Sequence, residues 1–121
     1  MMRLGETYLL LAEAQVKQGK TADAATSINV LRTRANAPQV TSDQMNLNFV
    51  LDERARELIG EENRRMTLMR TSTLVERSLR LNSNDVQHPT TGLAAKNLLL
   101  PIPLSEIQLN KDAVLEQNPG Y

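Results

Sequence analysis

The chain has 121 residues, the size of one domain. Its 14 Lys+Arg balance 14 Asp+Glu, and a net charge of +0 excludes the positive surplus by which nucleic-acid and polybasic membrane binders displace counterions or meet anionic lipid. No Cys means no disulfide, thiolate zinc site or Cys nucleophile; one His (His88) makes no multi-histidine metal site; and aromatics at 2% (Tyr8, Phe49, Tyr121) leave little with which to stack sugars or bases.

In chain order, Met1-Met2-Arg3-Leu4 enters a helical pattern at once, with no signal-peptide pattern ahead of it, and reads as the edge of a longer protein. The first helix is expected over 4–18. Leu4, Tyr8, Leu11 and Ala12 recur at helical spacing, so Tyr8 is assigned to the core. Gly19 suits a left-handed helix end. Thr21 is the expected N-cap of a second helix with Ala24, Ile28, Leu31 and Ala35 in register, ending at Asn36-Ala37-Pro38. Ala12, Ala14, Ala22, Ala24 and Ala25 gather near the turn and allow two antiparallel helices to approach closely.

Residues 38–46 are polar and read as a loop. A third helix is expected from Leu47 to Gly60, with Phe49, Val50, Ala55, Leu58 and Ile59 as its apolar side and Asp52, Glu53, Arg54, Arg56 and Glu57 as its polar side. Glu53 and Glu57 repel at four-residue spacing, whereas Asp52 and Arg56 attract. A fourth helix starts near Asn63 and breaks near Thr71-Ser72-Thr73. The stretch from Asn82 to Gly92, with His88 beside Pro89, is a polar loop and the best local candidate for ligand contact. Leu98-Leu99-Leu100-Pro101-Ile102-Pro103 is apolar, but its prolines exclude regular helix and central strand, so it reads as an extended strap. One short turn is expected at Ser105-Glu106-Ile107, and Asn118-Pro119-Gly120-Tyr121 is irregular.

No segment approaches the roughly 20 apolar residues of a membrane helix. The acidic and basic cluster at 52–57, with Glu62, Arg64 and Arg65, contains carboxylates of the kind glycosidases use in pairs. Guanidinium neighbours favour the carboxylate form, the opposite of what a general acid needs. The preferred reading is an ion-pair network tying the third helix to the fourth through partly buried arginines, Arg65 among them. Met45, Met66 and Met69 are read as gap-fillers.

The run Ala14-Gln15-Val16-Lys17-Gln18-Gly19-Lys20-Thr21-Ala22-Asp23-Ala24 resembles the middle of a tetratricopeptide repeat (TPR). More specifically, three stretches in order resemble the C-terminal portion of the SusD/RagB family. They are Arg3-Leu4-Gly5-Glu6-Thr7-Tyr8-Leu9-Leu10-Leu11-Ala12-Glu13-Ala14, then Asp52-Glu53-Arg54-Ala55-Arg56-Glu57-Leu58 with Glu62, Arg64, Arg65, Leu68 and Arg70, and finally 99–107 with Asn110 and Gln117-Asn118-Pro119-Gly120-Tyr121. Met66 and Thr67 depart from it, standing where the family has an aromatic and an Asp.

The resemblance implies an all-α fold: TPR-like hairpins packed as a segment of an α-α superhelix, with an irregular Pro-containing strap. It divides the single domain 1–121 into a helix pair 3–36, a second pair 47–80 and a strap 93–121. It further implies the C-terminal part of a cell-surface glycan-binding lipoprotein at the outer membrane, working with a SusC-like TonB-dependent transporter. No enzyme activity, cofactor or metal is implied, and no ligand-binding residue of the family maps onto this chain. An exposed apolar patch and a homodimer of the isolated chain are expected. A TPR-like protein-interaction module, holding an extended peptide in a helical groove, is the alternative.

Overall fold

A computed structural model describes residues 3–82 and 93–121, and among them the protein is all-α with no strand. Six helices follow in order: α1 (Leu4–Lys17), α2 (Thr21–Arg34), α3 (Leu47–Glu57), α4 (Arg64–Arg70), α5 (Leu74–Asn82) and α6 (Leu104–Leu109). Short 3-10 turns stand at Ser42–Gln44 and Ala95–Leu98. The chain divides into two compact units, the first ending at Glu62 and the second beginning at Asn63.

In the first unit α1 and α2 form a TPR-like helical hairpin. Gly19, at φ +75, takes the left-handed position after α1, and the Lys20 amide closes back onto the Gln15 carbonyl at 2.9 Å. Thr21 is not the N-cap: α2 begins on it, Lys20 holds the cap position, and no side chain caps that end. The hairpin closes on the small residues Ala12, Ala24 and Ala25, all buried, while Ala14 and Ala22 face outward. At its far end α2 stops because Asn36 turns left-handed at φ 53, two residues before Pro38. The expected loop 38–46 contains one 3-10 turn. Here the Thr41 hydroxyl first, and then backbone hydrogen bonding, hold the Asp43 carboxyl below the usual carboxylate range.

Helix α3 starts where Asn46 accepts a hydrogen bond from the Phe49 amide at 3.0 Å, and is followed by Gly60 at φ +75. It lies in the first unit with α1 and α2, whereas α4 and α5 lie in the second; residues 47–80 thus contribute to both. The core of the first unit contains Leu9, Ile28, Leu31, Val40, Met45, Val50 and Leu58, with Tyr8, Val16 and Phe49 packed against it.

The apolar sides differ in part from the sequence expectation. Leu4 is 71% exposed, Leu11 and Ala55 are exposed, and Ile59 is 82% exposed. Buried positions of α1 are Gly5, Leu9, Ala12 and Glu13, a face rotated from the one that hydrophobicity alone selects. Met45 is buried as expected, but Met66 is 60% exposed and fills no gap.

In the second unit Asn63 caps α4 by accepting from the Met66 amide at 3.3 Å. The expected break falls at Ser72, left-handed at φ 57, and separates α4 from α5. The strap runs extended between the 3-10 turn and α6, and α6 is longer than the single turn expected. Gly19 gives the simplest test. A Cβ there meets nothing within 4 Å, so Gly19→Ala isolates the backbone cost of the left-handed conformation, about 1–2 kcal/mol of stability by urea denaturation, with Gly19→Asn costing less.

Candidate functional site

The residues from which chemistry was expected converge on α3, and the structure uses them as ion pairs. Glu53 is buried and accepts from two arginines. Arg32 of α2 donates Nη1 to both of its oxygens, at 3.2 and 2.9 Å, and Arg56 donates Nε at 3.0 Å from one turn along α3. Arg32 is itself fixed, because its Nε donates to the Pro38 carbonyl at 2.6 Å.

One turn on, Glu57 plays the same part toward α1 and α2. Arg3 donates Nη1 to it at 2.8 Å and Arg34 donates Nη2 at 2.6 Å. Arg3 also donates to the Glu57 backbone carbonyl and, through Nε, to Glu61 at 2.6 Å. These contacts, Glu61 before Glu57, raise the Arg3 guanidinium above its ordinary pKa. The Glu53–Glu57 repulsion visible in the sequence is thus answered by four arginines: two from α2, one from α3 itself and the residue that precedes α1.

Gly5 explains how the carboxylate reaches α1. It is buried beside Glu57, and a Cβ at Gly5 would lie 2.8 Å from Glu57 Oε1. Only a residue without a side chain leaves that oxygen its place.

The third centre is Arg54, 2% exposed, which pairs with Glu62 at 2.6 Å and Glu6 at 3.5 Å. Its Nη1 is buried and has no hydrogen-bond partner among the described residues. The network therefore ties α3 to α1, α2 and the turn at Glu61 and Glu62, all inside the first unit. Arg65, expected among the buried arginines, is instead exposed and donates to the Asn97 carbonyl at 3.0 Å. Sequence reasoning found the charged cluster but missed that Glu53 and Arg54 are buried. A signal was available for Glu57 alone, in Gly5, whose missing side chain leaves room for that carboxylate.

Beside this network Leu31, Ala35, Ala37 and Phe49 line an open groove of about 480 Å³, with Arg32, Glu53, Arg56 and Glu57 as its polar wall. The Arg56 guanidinium lies over the Phe49 ring, 5.9 Å from its centroid, so the one aromatic of the groove is already engaged. Tyr8 is half-buried against the core, and Tyr121 donates its hydroxyl to the Leu99 carbonyl at 3.2 Å. Thr67 is buried, and Thr71 donates to its carbonyl at 2.9 Å. The candidate contact loop after Asn82, His88 included, lies outside the described residues. Among the described residues no His, Cys, Asp and Glu group is suited to a metal, and no helix is long and apolar enough to cross a membrane.

Chemically, the arrangement clamps helices. Both carboxylate oxygens of Glu53, and Oε1 of Glu57, are committed to guanidinium donors.

The model of the SusD family matches residues 1–121. A SusD-like protein of Formosa agariphila is 34% identical over the whole of this chain, which covers 24% of that protein. The starch-binding protein SusD of Bacteroides thetaiotaomicron is also 34% identical over the whole chain, with 21% of its length covered. A second SusD-like protein of Formosa agariphila is 30% identical, again with 24% covered. The chain thus spans about a quarter of the length of the curated relatives it matches. No solved structure matches it significantly.

The clamp makes a graded prediction. Arg54→Met removes a buried guanidinium that pairs with the buried Glu62 side chain at 2.6 Å, and lowers stability by about 3–5 kcal/mol. Arg80→Ala, which breaks the exposed pair with Glu76, changes it by less than about 1 kcal/mol. Denaturant titration of both variants checks the contrast, and equal effects would contradict the burial assigned to Arg54.

Proposed function

The chain belongs to the SusD family, and from that premise we propose that it is the C-terminal helical part of a cell-surface glycan-binding lipoprotein. In this reading the whole protein stands on the outer face of the outer membrane and binds oligosaccharide. It hands that ligand to a SusC-like TonB-dependent transporter, and this part supplies framework and no catalysis. The observation that carries the framework role is the commitment of Glu53 and Glu57 to Arg32, Arg56, Arg3 and Arg34. Carboxylates held in this way position helices. The glycan ligand is supported by the family and by the relative named for starch binding.

The engaged aromatics fit the same division of labour. Sugar sites stack pyranose rings on free aromatic faces. Here Phe49 lies under Arg56, and Tyr121 lies under Lys96, whose Nζ is 5.5 Å from the ring centroid. Principal sugar contacts then fall to parts of the longer protein outside this chain.

Calorimetric titration of the full-length protein with starch-type and other oligosaccharides tests the reading, with released reducing sugar assayed in the same samples. Saturable binding with no release of reducing ends is expected; hydrolysis of any oligosaccharide would overturn it. Detergent extraction of outer membranes should co-purify a TonB-dependent transporter with the full-length protein, and recovery of the protein alone under mild extraction counts against that partnership.

A further inference from the structure

In the second unit Leu99-Leu100-Pro101-Ile102-Pro103 runs extended, with Leu99 at φ −112, ψ 154 and Pro103 at φ −53, ψ 136. An extended chain directs the N–H and C=O groups of successive residues to opposite edges. Leu100 and Ile102 therefore share one edge, and Leu99, Pro101 and Pro103 share the other. The second edge is disarmed by composition, because Pro101 and Pro103 carry no N–H. The first edge contains no proline and is competent to pair with another extended chain.

That competent edge is covered by side chains of the tail. The Gln117 amide accepts from the Ile102 N–H at 2.8 Å and donates to the Ile102 carbonyl at 2.8 Å, as a neighbouring strand would. Asn118 donates Nδ2 to the Leu100 carbonyl at 2.6 Å, two residues along the same edge. Its own N–H donates to Gln117 Oε1 at 2.8 Å and fixes which way that amide points. On the other edge the Tyr121 hydroxyl donates to the Leu99 carbonyl. Gly120 makes the return possible. It is left-handed at φ +92, and a Cβ on it would stand 3.0 Å from Lys96 Cβ, where the chain folds back to bring the Tyr121 ring beneath the Lys96 ammonium.

The segment so covered is rich in leucine, and Leu99, Leu100 and Leu104 are exposed. An apolar extended segment with an open edge is a template for pairing with an identical segment. We propose that Gln117, Asn118 and Tyr121 form an edge lock. With side chains alone they occupy the backbone groups through which residues 99–103 would otherwise take up a strand from a second copy of this chain. Release of the lock turns the strap into an acceptor for that copy.

Two variants of the chain test the proposal. Gln117→Met keeps the length of the side chain but neither hydrogen bond. Gln117→Glu keeps an acceptor for the Ile102 N–H and loses the donor to its carbonyl. In Gln117→Met the Ile102 amide should exchange with solvent about tenfold faster, the value of one net hydrogen bond, with a smaller increase in Gln117→Glu and none in α1 or α2. As concentration rises, Gln117→Met should also gain the infrared signature of intermolecular β-pairing, which association through helices does not produce. Unchanged exchange at Ile102 overturns the lock. Faster exchange without concentration-dependent β-pairing overturns the acceptor role. If Gln117→Met loses protection throughout the chain, the same comparison in Gln117→Glu decides.

Discussion

The first unit depends on the way α3 is held. Glu53 and Glu57 lie one turn apart on the side of α3 that meets the hairpin, and each is shared by two guanidiniums. Arg54, between them in sequence, is buried on Glu62 and Glu6. Desolvating so many charges costs free energy that a purely apolar contact would not, so the network is weak evidence for net stability. What it gives is position: a carboxylate shared by two planar donors tolerates few placements of its helix. Val50 and Leu58 add the apolar contact, while the ion pairs define how α3 sits on α1 and α2.

This division explains why a cluster with the composition of an active site has the behaviour of a joint. Acid–base chemistry needs a carboxyl group free to approach a substrate. Here Glu53 and Glu57 face guanidiniums of α2, of α3 itself and of Arg3, and Gly5 is small so that Glu57 Oε1 can sit against α1. The second unit solves a related problem differently. Its strap has no sheet to satisfy its backbone, and the side chains of Gln117, Asn118 and Tyr121 take that place.

Local features were legible in the sequence because their causes are local. Gly19, the break at Thr71-Ser72-Thr73 and the extended strap around Pro101 and Pro103 each follow from the backbone preference of one or two residues. The all-α fold followed from helical periodicity and from the resemblance of three stretches in family order. The buried faces were less legible. Leu4, Leu11 and Ile59 fit a helical stripe yet face outward, because the neighbours of a helix, and not its most hydrophobic side, decide what is covered. Glu53 and Arg54 look like surface residues by type and are buried because their partners come from distant positions such as Arg32 and Glu62. The tail hydrogen bonds depend on the chain folding back at Gly120, which no pattern of residues near Ile102 announces.

The central claim is that the charges of α3 hold helices in place. Glu57→Gln in the full-length protein separates this role from ligand binding most directly, with melting temperature and oligosaccharide affinity measured on one preparation. The account predicts a lower melting temperature, because Arg3 and Arg34 lose their shared carboxylate, with affinity for bound glycan unchanged. An unchanged melting temperature with glycan binding lost would show that Glu57 serves the ligand, and would contradict it.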